Sequence, residues 1–287
     1  ALCFAPTLVP PFLDRIYYRG PEGSHFDGER FFNTGRDLDE EAWHDRARGR
    51  FFARWWMGSA PDWPDEVPVR PSVPPRRVAG EGMRVTWIGH STVLVQANGL
   101  NILTDPIWSE RASPFSFIGP KRVRAPGVAF DDLPKIDLVL VSHNHYDHLD
   151  LPTLRRLWER DRPLVVTSLG NDTILEDAGI GARALDWGQA VQAAPGVAVT
   201  VERNQHWSSR WGVDRNRALW SAFTVTLPGG NLFFAGDTGF GDGSWVREAA
   251  RGPVRPAILP IGAYAPGDFM KLSHVSPEES GRIFRML

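Results

Sequence analysis

Cysteine is nearly absent: Cys3 is the only one in 287 residues. A disulfide framework, a thiolate zinc site and a Cys-x-x-Cys redox pair are therefore excluded, and cysteine usage says nothing about compartment. No apolar run approaches the roughly 18 residues that a membrane-spanning helix requires. An excess of one charge is missing too, since 32 Lys and Arg against 34 Asp and Glu leave a formal net charge of -2. A dedicated nucleic-acid binder usually carries a basic excess, so no nucleic-acid partner is expected. Gly-x-Ser-x-Gly does not occur, and no Ser-His-Asp set is visible. Gly239-Phe240-Gly241-Asp242-Gly243 lacks the lysine and the helix context of a phosphate-binding P-loop. With 42% hydrophobic and 23% charged residues, the composition is that of an ordinary globular chain rather than a disordered, collagenous or coiled-coil one.

Proline and tryptophan, by contrast, are plentiful, at 24 and 12. Ten of the prolines fall in residues 1–80, where their fixed φ and missing donor rule out a regular sheet or a long helix bundle. That stretch reads as an irregular arm with one or two short helices, followed by a domain over 81–287. The chain opens on Ala1, and Ala1-Leu2-Cys3-Phe4-Ala5 is compatible with the tail of an apolar targeting segment but too short to identify one.

From Met83 onward, short apolar runs alternate with turns. Strands are expected at 84–88, 93–97, 101–104, 136–142, 164–168, 197–202, 218–227, 232–235 and 257–261. Asn98-Gly99 is expected to close a hairpin. Helices are expected at 152–160, 172–178, 244–250 and 276–287. The last opens with Ser276-Pro277-Glu278-Glu279, good N-terminal chemistry. Hairpins first, then strand–helix alternation, point to a layered α/β domain.

The chemistry centres on His143-Asn144-His145-Tyr146-Asp147-His148, directly after the apolar run 136–142; three of the eight histidines lie in these six positions. Histidines at i and i+2, where a strand becomes a turn, can aim at one ion. Asp147 and His148, past the bend, can reach a second. Neutral imidazole and carboxylate suit Zn²⁺ or Fe²⁺. Further ligands must come from other strand ends. His206 is one candidate: alone it reads rather as an interfacial residue beside Trp207, and the H-x-H-x-D-H motif turns the reading to ligand. Asp237, in Phe234-Ala235-Gly236-Asp237-Thr238, is another, and alone it reads as a helix cap. Asp105 is either an acceptor that fixes a ligand histidine's tautomer or a turn residue before Pro106. His90 reads as a structural hydrogen-bonding residue behind the site.

Together with Thr86-Trp87-Ile88-Gly89-His90-Ser91-Thr92, Leu103-Thr104-Asp105-Pro106, Gly236-Asp237-Thr238 and His274, the H-x-H-x-D-H motif resembles the metallo-β-lactamase superfamily. Within it, the pattern is most similar to the N-acyl-phosphatidylethanolamine phospholipase D branch and its bacterial relatives. Tyr17-Tyr18-Arg19-Gly20-Pro21 and the run 25–33 resemble the N-terminal arm of those relatives. The resemblance implies a four-layer αβ/βα sandwich with two zinc ions at one sheet edge. His143, His145 and His206 would hold one ion, Asp147 and His148 the other, and Asp237 would bridge. The family's remaining second-site histidine lies in a segment after the helix that here opens at Ser276, and no match to it, nor to the strand region around it, is found before Leu287. Water or His274 is therefore expected to fill the gap, leaving the second ion weakly held. His274 itself matches a pocket-lining histidine, with surrogate ligand and plain loop residue as alternatives.

The function expected is a zinc-dependent phosphodiesterase of phospholipase D type, with Asp147 and His274 as candidate catalytic residues and a metal-activated hydroxide as nucleophile. A lactonase on the same site and a metal-depleted binding module are the alternatives. The substrate expected is a small-molecule or lipid phosphodiester. The run Asp45–Trp56, four arginines among four aromatics, is either a peripheral membrane contact or an arm segment docked on the domain.

Overall fold

A computed structural model describes residues 14–34 and 64–287. Its centre is a pair of sheets. Strands β1 (Met83–Gly89), β2 (Thr92–Ala97), β3 (Leu100–Thr104), β4 (Leu138–Val141), β5 (Leu164–Ser168) and β6 (Arg183–Leu185) lie side by side in chain order. In the second sheet, β7 (Ala190–Ala194), β8 (Val197–Glu202), β9 (Ala222–Thr226), β10 (Asn231–Phe234) and β11 (Val254–Ile258) also follow chain order. The Asn98-Gly99 turn has φ of +51° and +74°, the backbone a tight hairpin demands, and it joins β2 to β3. From β3 to β6 the pairing is parallel. Helices α1 (Leu151–Asp161) and α2 (Asn171–Asp177) supply crossovers. Helix α3 (Ser244–Ala249) links the parallel pair β10–β11; α4 (Gly267–Met270) and α5 (Pro277–Met286) follow.

Strand alternation builds the layers. Leu138 and Leu140 face the second sheet and pack with Val199, Phe223 and Leu232. Val139 and Val141 face the other way, against Leu154 and Leu157 of α1. Both faces of β4 are thus covered, which is why 138–141 is an unbroken apolar run. On the far side, Phe233 and Ala235 pack against Trp245 and Ile283 from α3 and α5. The result is helix, sheet, sheet, helix, the α/β sandwich expected. Leu140 is fully buried, and Leu140→Ala would cost about 2–5 kcal/mol by transfer and cavity terms.

Several boundaries differ from the sequence pattern. Residues 218–221 lie outside β9, because Leu219 N–H donates to Leu169 O and Ser221 N–H to Ser142 O, both across to the first sheet. The last strand lies three residues before the expected 257–261, placed by pairing with β10. Strands β6 and β7 were not anticipated: Arg, Ala and Gln are poor strand formers, and their pairing is decided by neighbours. The described parts of the arm contain no helix. They carry isolated bridges, and Phe26 and Phe31 pack on Leu219 and Trp220. The run Asp45–Trp56 lies outside the described residues.

Candidate metal centre

Five chain segments end at one edge of the sandwich and bring the expected residues together. His143, His145, Asp147 and His148 follow β4, His206 follows β8, and Asp237 follows β10. Asp105 leaves β3 at φ +31°, and His90 leaves β1 at φ +49°. Gly236 makes the approach of β10 to β4 feasible: at φ +60°, a Cβ there would lie 2.7 Å from the Ser142 Cβ. His274 sits between α4 and α5. The Ser276–Glu279 capping box and a bond from Val275 N–H to Thr238 O hold that segment against the site.

Hydrogen-bond partners determine which ring nitrogens carry lone pairs. His206 Nδ1–H donates to the Ser273 carbonyl at 3.0 Å, leaving Nε2 free of its proton. Ser142 Oγ donates to Asp105 Oδ2 at 2.6 Å and accepts from His143 Nδ1–H at 2.9 Å, so His143 Nε2 is also a lone pair. These two nitrogens face His145 Nδ1 at 3.4 Å and 2.8 Å. Burial, the largest effect, drives His145 down to about 4 and His143 and His206 well below the usual histidine range. The trio is therefore neutral near pH 7, with more lone pairs converging than protons to share. That donor set fits a dication.

A second group lies beside it. His148 Nδ1–H donates to Asp105 Oδ2 at 2.6 Å, turning Nε2 toward Asp237 Oδ2 at 3.2 Å and Asp147 Oδ2 at 3.7 Å. Burial alone would lower the His148 pKa, but Asp237, Asp147 and Asp105 outweigh it and hold it well above the usual range. Burial likewise works against ionised Asp147 and Asp237, yet the surrounding imidazoles keep both below the ordinary carboxylate range. Asp105 is wholly buried and accepts from Ser142 N–H as well, so one carboxylate ties both groups together. His274 Nδ1 lies 3.8 Å from Asp237 Oδ2, and its ring packs edge-on against His206. Among the described residues, three-donor groups able to hold a metal form from His143, His145 and His206; from His90, Asp147 and His148; from Asp105, His143 and His148; and from His206, Asp237 and His274.

Three supports were not read from the sequence. Asn33, from the arm, clamps the His206 backbone: its Nδ2 donates to His206 O at 2.7 Å, and its Oδ1 accepts from His206 N–H at 3.2 Å. Ser273 acts only through its carbonyl, which no side-chain motif encodes. The third is a cavity of about 320 Å³ lined by His90, Asp147, Lys121, Arg122 and Arg124. A larger cavity, about 390 Å³, lies behind Tyr146 and is lined by none of the donors named above; its Arg210 stacks on Tyr146 and donates to Asn144 O and Leu149 O.

The family described as "Beta-lactamase superfamily domain" matches residues 100–287. The chain belongs to the metallo-β-lactamase superfamily. It is 37% identical over 217 residues to an N-acyl-phosphatidylethanolamine-hydrolyzing phospholipase D of Caenorhabditis elegans, covering 72% of this chain and 61% of that one. Similarity at 33% identity extends to a UPF0173 metal-dependent hydrolase of Nitratidesulfovibrio vulgaris, over 62% of this chain and 68% of that one. Among solved structures, isothiocyanate hydrolase from Delia radicum gut bacteria shares the fold. It matches with a TM-score of 0.55 at 23% identity, over 71% of this chain and 80% of that one. The chain thus spans about three fifths of the nematode relative's length.

Proposed function

We propose that this chain is a metal-dependent phosphodiesterase of phospholipase D type, acting on an N-acyl phospholipid or a related phosphodiester. In this reading His143, His145 and His206 hold one zinc ion, Asp147 and His148 belong to a second, and Asp237 lies between them. Ions held there would lower the pKa of water and polarise a phosphoryl oxygen. The protein's own groups do the rest. Asp147, kept ionised, accepts hydrogen bonds rather than donating a proton. His274, its pKa lowered chiefly by burial, is neutral near pH 7 and orients substrate by hydrogen bonding rather than by charge.

The observation that carries the phosphodiester reading is the cationic cavity. Lys121, Arg122 and Arg124 line the space that opens onto Asp147 and His90. Three cations suit a phosphodiester anion, whereas a neutral lactone has no use for them. The similarity to a phospholipase D of N-acyl phosphatidylethanolamine supports the same class. Metal-loaded protein should cleave N-acyl phosphatidylethanolamine or p-nitrophenyl phosphodiesters and leave lactones intact; turnover of lactones alone would overturn the reading.

Next to that cavity, the loop between Arg111 and Lys121 is closed by a bridge, and it exposes Phe115, Phe117 and Ile118. An apolar tip beside cations suits insertion at a lipid surface, placing headgroup phosphates at the cavity. Flotation with phosphatidylglycerol-containing vesicles should weaken several-fold in a Phe117→Ser, Ile118→Ser protein. Unchanged flotation would remove this loop from membrane contact.

A further inference from the structure

The turn that carries the histidine motif is held from behind. Its two ends, Asn144 O and Leu149 O, both accept from Arg210 Nη1 at 3.0 Å. The guanidinium lies 3.9 Å from the centre of the Tyr146 ring. His145, Asp147 and His148 fall between those two carbonyls, so one side chain closes the segment that supplies three of the donors. A planar guanidinium can stack and donate at once, which an ammonium cannot. Arg210 is itself anchored. It follows His206 by four residues, and its backbone N–H donates to the buried Asp214 carboxylate at 3.1 Å. That carboxylate also takes Ser209 Oγ–H at 2.6 Å, Trp211 N–H at 2.8 Å and, from the arm, Tyr17 O–H at 2.8 Å.

The partners of each donor show what this support is for. His143, His148 and His206 each have a second hydrogen bond that fixes the ring, to Ser142, to Asp105 and to the Ser273 carbonyl. His145 lacks one: its Nδ1 faces the other rings, and its buried Nε2 has no partner among the described residues. Beyond the Trp207 ring, 4.2 Å away between centroids, its aim follows from the backbone beneath it. Asp147 pairs with His90 at 3.0 Å and His148 at 3.7 Å, both at the site itself. The Asn144 side chain gives the turn no hold either, since both its amide atoms are buried without a partner among the described residues. Inside the turn, His148 N–H and Leu149 N–H donate to His145 O, and Arg210 adds two bonds from outside.

We propose that Arg210 is a positioning residue for the reaction: it pins the turn 144–149 and so sets where His145 and Asp147 point, without touching substrate or ion. This rests on the hydrolase reading above, and the test keeps the two apart. Amide hydrogen exchange is measured on metal-free parent and Arg210→Met, in which the apolar stem stays on Tyr146 and the donors are gone. Exchange at His148 and Leu149 should quicken at least about tenfold more than at the β4 amides 139–141. Equal changes in turn and strand, or none in the turn, would make Arg210 a general stabiliser and overturn the pin. With metal restored, kcat for a p-nitrophenyl phosphodiester should fall about 10–100-fold while KM stays within about threefold. A loss confined to KM would place Arg210 in substrate binding and overturn the proposal. A parent that cleaves no phosphodiester removes the reaction reading alone, since exchange in the turn still decides on the pin. Should Arg210→Met not fold, the parent suffices. In [¹⁵N]arginine-labelled protein, the Arg210 Nη1 and Nη2 resonances should be separate, as in a guanidinium that cannot rotate. One averaged Nη signal overturns the pin without recourse to any variant.

Discussion

The two donor groups lie side by side yet are built on opposite principles. His143, His145 and His206 present lone pairs: burial keeps all three rings neutral, and neutral acceptors, a hydroxyl and a carbonyl, orient two of them. The second group presents charge, with Asp147 and Asp237 held ionised around His148. Their support and exposure differ as well. The His206 backbone is clamped by Asn33, whereas the His90 and Asp147 side chains are about 45% and 40% exposed at the edge of the cavity. A site that must hold its ion permanently is best made of buried, pre-oriented nitrogens. A site that must meet a substrate needs ligands at the solvent edge. In the proposed reading, anchoring falls to the first group and substrate contact to the second.

The largest expected effect tests the anchoring half. His206→Ala should lose the tightly held ion and lower phosphodiester hydrolysis by at least about 10³-fold, read from metal content and initial rates. Full retention of the rate would break the comparison at its base. Asp105→Asn comes next. It should weaken metal binding about 10–100-fold, measured against a competing chelator. The loss should be greater for the second ion, since Asp105 bonds His148 directly and reaches His143 only through Ser142. Equal losses would show that the two groups are not supported separately.

A smaller effect tests the substrate half. Lys121→Ala with Arg124→Ala should raise KM for an anionic phosphodiester about tenfold, with kcat nearly unchanged and the metal content intact. A drop confined to kcat would place these cations in the transition state instead.

The smallest effect concerns the arm behind His206. Its Asp14 accepts from Arg217 and Arg30, and the Arg217 hydrogen bond, outweighing burial, lowers the Asp14 pKa. A lowered folded pKa gives stability that is fully present above the unfolded value, about 3.9, and is lost as pH falls through the folded one. The pair is partly exposed, so the contribution should stay below about 1 kcal/mol. The gap in Tm between the parent and Asp14→Asn should be constant above about pH 5 and narrow progressively as pH falls below about 4. A gap that does not narrow with falling pH would mean that Asp14 acts by packing rather than by charge.

Much of this was legible along the chain because it is written in local spacing. The H-x-H-x-D-H run sits in one turn, so its donors had to meet near one point. The strand before it is covered on both faces, so it had to be continuously apolar. The Asn98-Gly99 hairpin and the Ser276–Glu279 cap are local backbone chemistry, and both stand where their residues put them. The arm and the small edge strands were less legible, since Ala190–Ala194 has little strand preference and pairs only because β8 lies beside it.

The sequence by itself determined the layered α/β class, the edge at which the chemistry gathers, and the residue types able to bind a dication. Only the tertiary structure decided how those residues divide. Ser273 and Asn33 act on His206 across 67 and 173 positions, and Asp105 reaches His148 across 43. His90 reaches Asp147 because the register slips at the end of β1. Such contacts depend on where strands end relative to one another. That relation is fixed by packing in the whole fold, so no local pattern could carry it.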